Sequence, residues 1–122
     1  MASFILGGIY YVLDTQIRLP PDGEREIHDS RRPFVVLSTS LKNNDPGWPV
    51  VLGCPISSST KFYTEFCVKL GAGQAGMPKK TWIRVPALQP LAKSDLQDHI
   101  GLLTPELLET LQARVLQYIG LV

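Results

Sequence analysis

The sequence predicts a mostly β fold with one C-terminal helix: a small, strongly curved sheet or partly closed barrel. Three observations carry this. Short runs of β-branched, aliphatic and aromatic residues recur along the chain, each too short for a helix. Clusters of Gly, Pro, Asn and Asp separate them. Only the last stretch has helical periodicity.

Gly8-Ile9-Tyr10-Tyr11-Val12-Leu13 is the first strand, rich in residues that fit a pleated surface. Residues 15–31 form a long polar loop containing the turn signal Pro20-Pro21-Asp22-Gly23. The second strand spans 33–39, in Pro33-Phe34-Val35-Val36-Leu37-Ser38 and the residue after it. Asn43-Asn44-Asp45-Pro46-Gly47 turns the chain into a third strand over 50–56. Both runs are apolar throughout, as in strands buried on two faces. Alternation over 62–70, with Phe62, Thr64, Phe66, Val68 and Leu70 set against Tyr63, Glu65, Cys67 and Lys69, predicts a half-exposed fourth strand.

Gly71-Ala72-Gly73-Gln74-Ala75-Gly76 invites a phosphate-cradling reading, but Met77-Pro78 stands where the required helix would begin. Thr81-Trp82-Ile83-Arg84-Val85 is a fifth strand, extended through 87–91 past an irregularity at Pro86. Residues 99–103 form a last short strand. Thr104 as N-cap, Pro105 at the first helical position and Glu106 in the first turn open the helix. Its apolar stripe is Leu108, Leu111, Val115 and Ile119, widened by Leu107 and Tyr118, and Gly120 stops it.

At 122 residues, 44% hydrophobic and 19% charged, the chain is read as one globular domain over 1–122. No apolar run approaches the ~18–20 residues that span a bilayer, and Met1 to Leu6 lack a basic leader segment. The cytoplasm is the expected compartment. Cys54 and Cys67 are expected to be reduced core thiols, and two Cys with two distant His offer no metal-ligand spacing. A formal charge of +1 conceals a basic segment: over 57–84, Lys61, Lys69, Lys79, Lys80 and Arg84 face Glu65 alone. Such a face suits a modest polyanion site, although exposed lysines also simply solubilise a surface.

The polar equipment of the second and third strands is one-sided. Arg31 and Arg32 precede the former, and Ser57, Ser58, Ser59 and Thr60 follow the latter. Antiparallel pairing would bring guanidinium and hydroxyl groups to one sheet edge. Arg32 precedes a proline, which biases its backbone to an extended form, and its planar charged fork suits phosphate oxygens. A salt bridge to Asp29, Glu24 or Glu26 is the alternative. The serine run is equally ordinary turn chemistry, and no Gly-x-Ser-x-Gly elbow marks a serine hydrolase. His28 is a candidate proton carrier or a plain loop histidine, while His99 is read as structural. Trp82 and Arg84, two apart on a strand, form either a base-stacking and phosphate-binding pair or a core aromatic beside an edge charge.

Four segments in register resemble the MazF/PemK toxins of bacterial toxin–antitoxin pairs. They are Gly8-Ile9-Tyr10-Tyr11-Val12, Arg32-Pro33-Phe34-Val35-Val36-Leu37-Ser38, Pro55-Ile56-Ser57-Ser58, and the run Ile100-Gly101-Leu102-Leu103-Thr104-Pro105-Glu106-Leu107-Leu108. The resemblance implies an SH3-like barrel that dimerises. It also implies a cofactor-free, metal-independent endoribonuclease that cuts single-stranded RNA and is silenced by a cognate antitoxin. Its catalytic arginine and turn threonine fall here on Arg32 and Ser57, with His28 as a possible helper. Arg31, Ser58, Lys61, Trp82, Arg84 and Glu24 would meet RNA. Pro86 stands where some relatives have an Asp, and the 15–31 loop departs from the usual one, which bears on the RNA sequence read. Two other readings stay open: a CcdB-type module acting through protein contact, and an inactive antitoxin-binding relative.

Overall fold

A computed structural model describes residues 4–19, 30–60 and 63–122. The strands are β1 (Gly8–Leu13), β2 (Arg31–Val36), β3 (Val50–Ser57), β4 (Val68–Leu70), β5 (Thr81–Ile83), β6 (Gln89–Ala92) and β7 (His99–Leu102). Two helices complete it: a single turn, α1 (Ser40–Asn43), and the terminal α2 (Pro105–Tyr118). The strand order is β4-β5-β3-β2-β1-β7, with β6 paired to β3 off this path, and the pairings are antiparallel. The result is a curled half-barrel capped by α2.

Strand β3 makes the curl. Its first half pairs with β6 (Val50↔Ala92 to Gly53↔Gln89), its middle with β2 (Gly53↔Val36 to Pro55↔Phe34), and its end with β5 (Ile56↔Ile83, Ser57↔Trp82). Gly53 belongs to two of these ladders. A Cβ there would fall on the Val35 carbonyl oxygen and the Phe34 ring, so only glycine permits the approach.

The sheet is buried on both faces, as the unbroken apolar runs predict. Tyr10, Val12, Phe34, Val36 and Val51 point into one core with Phe4, Ile17, Leu19 and Leu91. Ile9, Val35, Cys54 and Ile56 point into the other, beneath Leu111 of α2. Alternation of period two sorts successive residues between them.

The expected α2 is present. Thr104 Oγ1 accepts the Leu107 N–H at 3.2 Å, and Gly120 turns out at φ +82°. Its stripe is narrower than expected: Leu111 is buried, Leu107, Leu108 and Val115 are half-buried, and Tyr118 and Ile119 are exposed because the last turn has no sheet beneath it. Two other expectations need correction. The fourth strand is confined to Val68–Leu70, since Thr64 starts a turn, accepting Cys67 N–H at its carbonyl (3.0 Å) and Phe66 N–H at its hydroxyl (3.2 Å). Cys67 is buried, as expected of a core thiol. The fifth strand ends at Ile83, and a 3₁₀ turn over Val85–Ala87 around Pro86 separates it from β6.

Both cysteines are free and buried. Burial pushes the Cys54 thiol from 9.0 up to about 12, and the neighbouring Cys67 adds in the same direction. Folded chain therefore holds this proton between pH 9 and 12 where unfolded chain releases it. Stability should be fully present below this window and fall as pH rises through it, by up to about 1.4 kcal/mol per unit. Urea unfolding across the window should show that slope, and Cys54→Ala should flatten it. Leu111→Ala, which empties the one fully buried position of α2, should lower the unfolding free energy by about 2–5 kcal/mol. Leu116→Ala, at an exposed position, should shift it by less than about 1 kcal/mol.

Candidate functional site

The β2–β3 register places the two ends at one rim. Phe34 faces Pro55, Val35 faces Cys54 and Val36 faces Gly53. Continued outward, the same register sets Arg32 across from Ser57. The guanidinium confirms the neighbourhood, its NH1 donating to the Ile56 carbonyl at 3.3 Å.

Arg32 is held from a second direction. Its Nε donates to Asp14 Oδ1 at 2.7 Å, in an ion pair whose carboxylate side chain is 2% exposed and whose arginine side chain is 16% exposed. The salt-bridge alternative for Arg32 is thus real, but Asp14 supplies it among the described residues. Glu24, Glu26 and Asp29 lie outside them.

A cleft of about 430 Å³ opens beside this pair. It is lined by Tyr11, Asp14 and Ser30 to Pro33, by Ile56 and Ser58 at the β3 end, and by Met77 to Lys79 with Thr81. Three cations and one carboxylate among these residues leave it positive. Arg31 lies with its guanidinium carbon 4.2 Å from the Tyr11 ring centre and its NH1 2.7 Å from Asp98 Oδ2 and 3.2 Å from Gln97 Oε1. The stacked and bridged guanidinium is fixed at the cleft wall.

Ser57 and Ser58 differ. Ser58 is exposed and lines the cleft. Ser57 is buried and does not itself line the cleft; its Oγ accepts the Ser59 N–H at 3.1 Å in a serine turn. Both the turn-chemistry reading and the rim placement therefore describe Ser57.

Trp82 and Arg84 do not line the cleft. Trp82 is half-buried, edge-on to Tyr63 with ring centres 6.2 Å apart, and opposite Ser57 in the β3–β5 ladder. Arg84 follows the end of β5 and is 9% exposed, with its N–H on the Pro55 carbonyl at 2.9 Å. His99 stacks on Tyr10 at 4.8 Å and its Nε2 lies 2.8 Å from the Gly101 carbonyl, a structural setting. His28, Glu24 and Lys61 lie outside the described residues. Among the described residues no three His, Cys, Asp or Glu side chains gather as a metal site.

Sequence reasoning missed Asp14, Tyr11, Lys79 and Thr81 as cleft residues. Asp14 had a signal. Val12 pairs with Arg32, so the acid two residues on, just past the end of β1, sits diagonally from the arginine on the same face. Reading it requires the register, which the sequence does not print.

Several solved structures share this fold. A MazF from Deinococcus radiodurans superposes with a TM-score of 0.74 at 19% identity, covering 98% of this chain and 99% of that one. The Mycobacterium tuberculosis toxin MazF-mt6 gives 0.70 at 16% identity, over 93% and 96%. A mycobacterial endoribonuclease in complex with its cognate antitoxin gives 0.69 at 16% identity, over 98% and 96%. No curated protein sequence matches the chain. The sequence model of the PemK-like, MazF-like toxins of type II toxin–antitoxin systems matches residues 11–119. With nearly the whole chain matched and the curled sheet shared, this protein belongs to the PemK/MazF toxin family.

Proposed function

We propose that this chain is a sequence-specific, metal-independent endoribonuclease toxin that cuts single-stranded RNA and is held silent by a cognate antitoxin. The observation that carries the reading is Arg32 at the wall of a positive cleft, with two of its five N–H groups committed among the described residues. A phosphodiester is the ligand such a fork fits.

In this reading the RNA 2′-oxygen attacks the adjacent phosphorus, the bond to the 5′-oxygen breaks, and a 2′,3′-cyclic phosphate and a 5′-hydroxyl result. One proton leaves the attacking oxygen and one joins the departing oxygen. Arg32 stabilises the charge that grows on the non-bridging oxygens. Ser57, the neighbour of the cleft-lining Ile56 and Ser58, is the hydroxyl proposed to donate to the same phosphate. A guanidinium is a poor proton carrier, so Arg32 acts as an electrostatic clamp, and His28, outside the described residues, is the candidate for proton transfer. Arg31 and Ser58 contact the strand beside the reacting phosphate. Trp82 and Arg84 take no direct part in the cleft.

An apolar groove of about 370 Å³ between α2 and the sheet, lined by Leu37, Leu52, Leu88, Val115 and Leu116, supports a protein partner on the far side of β3. The antitoxin and a second copy of the chain are the partners proposed, in the cytoplasm. Among the described residues no helix is long and apolar enough to cross a membrane.

Incubation with mixed-sequence single-stranded RNA in EDTA should give fragments with 5′-hydroxyl ends at one short sequence. Intact RNA would overturn the reading. Arg32→Ala should reduce cleavage by roughly 10²-fold or more, the scale for losing a transition-state donor. The same substitution breaks a 2.7 Å charged contact to a buried carboxylate and should lower the urea unfolding free energy by about 1.5–3 kcal/mol. Cleavage must therefore be compared at temperatures where both proteins are folded.

A further inference from the structure

We propose that Asp14 is a positioning residue for Arg32: its buried carboxylate sets the plane of the guanidinium and turns the uncommitted N–H edge towards the cleft. The proposal rests on the ribonuclease reading and names a device on which the same site depends.

The backbone holds Asp14 tightly. Its N–H donates to the Ser30 carbonyl at 3.1 Å, continuing the β1–β2 ladder one step past Leu13↔Arg31. Its carbonyl accepts the Ile17 N–H at 3.2 Å, closing the 3₁₀ turn over Asp14–Gln16. Strand pairing on one side and the turn on the other leave the carboxylate little freedom.

A planar, rigid group is oriented when it is gripped at two different nitrogens. Asp14 takes Nε and the Ile56 carbonyl takes NH1, from separate strands. The Nε contact is the informative one. A carboxylate meeting the two terminal nitrogens would occupy the edge best suited to bidentate phosphate binding. Bound at Nε, Asp14 restrains the group from its stem, and among the described residues NH2 stays uncommitted. Remove it, and the fork swings about the remaining NH1 contact.

The charge argument separates orientation from attraction. A carboxylate beside Arg32 makes the cleft less positive, so it weakens rather than strengthens the pull on an incoming phosphate. Its value lies in a donor already aimed when charge develops, which acts on turnover more than on binding.

The test compares Asp14→Ala with Asp14→Asn, which keeps an acceptor oxygen. Turnover should fall roughly 10²-fold in Asp14→Ala, the scale of an ångström-sized misplacement of a catalytic group. Asp14→Asn should recover part of it. Binding of an uncleavable RNA with 2′-deoxyribose at the cut site should stay the same or tighten in both variants. Unchanged turnover in Asp14→Ala, or turnover and binding lost in equal measure, would overturn the proposal. A second readout does not depend on cleavage. The Arg32 Nε–H resonance, assigned by its absence in Arg32→Lys, should be protected from solvent exchange in the wild type and exchange rapidly in Asp14→Ala. Rapid exchange already in the wild type overturns the positioning role even if RNA is cut. A protected wild-type signal in a protein that cuts no RNA removes the ribonuclease reading and leaves the pairing established.

Discussion

One eight-residue strand serves three partners, and the molecule is arranged around that demand. β3 can pair in turn with β6, β2 and β5 only by bending, and it bends where Gly53 lets two neighbouring backbones close in together. The bend converts an open sheet into a half-barrel. Antiparallel pairing sets the end of β3 beside the start of β2, which places Arg32 at the rim.

At that rim, local chemistry and tertiary structure are hard to separate. Arg32 is half core residue and half surface residue: its stem continues the inner face that runs through Phe34, and its head stands over a cleft. The cost of desolvating a guanidinium is offset by Asp14 and by the Ile56 carbonyl. Arg31, one residue earlier and on the other side of the strand, solves the same problem with an aromatic ring and an exposed acid. Two adjacent arginines are thereby fixed by different means.

Much of this was legible beforehand, for a definite reason. Period-two alternation and uninterrupted β-branched runs specify β1, β2 and β3 wherever both faces are buried. Thr104-Pro105 and Gly120 bracket the helix through capping chemistry that acts locally. The one-sided polar ends of β2 and β3 identified the rim, because antiparallel geometry alone dictates which ends meet. What failed was decided by competition that the pattern does not contain. The alternation over 62–70 was interrupted by a Thr64 turn. Ser40 to Asn43, among turn-forming residues, closed a helical turn fastened in part by Lys93 Nζ on the Lys42 and Asp45 carbonyls, about fifty residues away in sequence. Ile119 kept its helical phase but ran beyond the sheet it was meant to cover. Asp14 was invisible as a cleft residue because its partner is fixed by register.

The terminal helix is anchored at full depth by one leucine, while Leu116, Tyr118, Ile119, Leu121 and Val122 remain in contact with water. A cover so lightly fastened draws reinforcement from whatever settles on its outer surface, by mass action. If the second copy proposed above is that occupant, the folded state would persist longer at higher concentration.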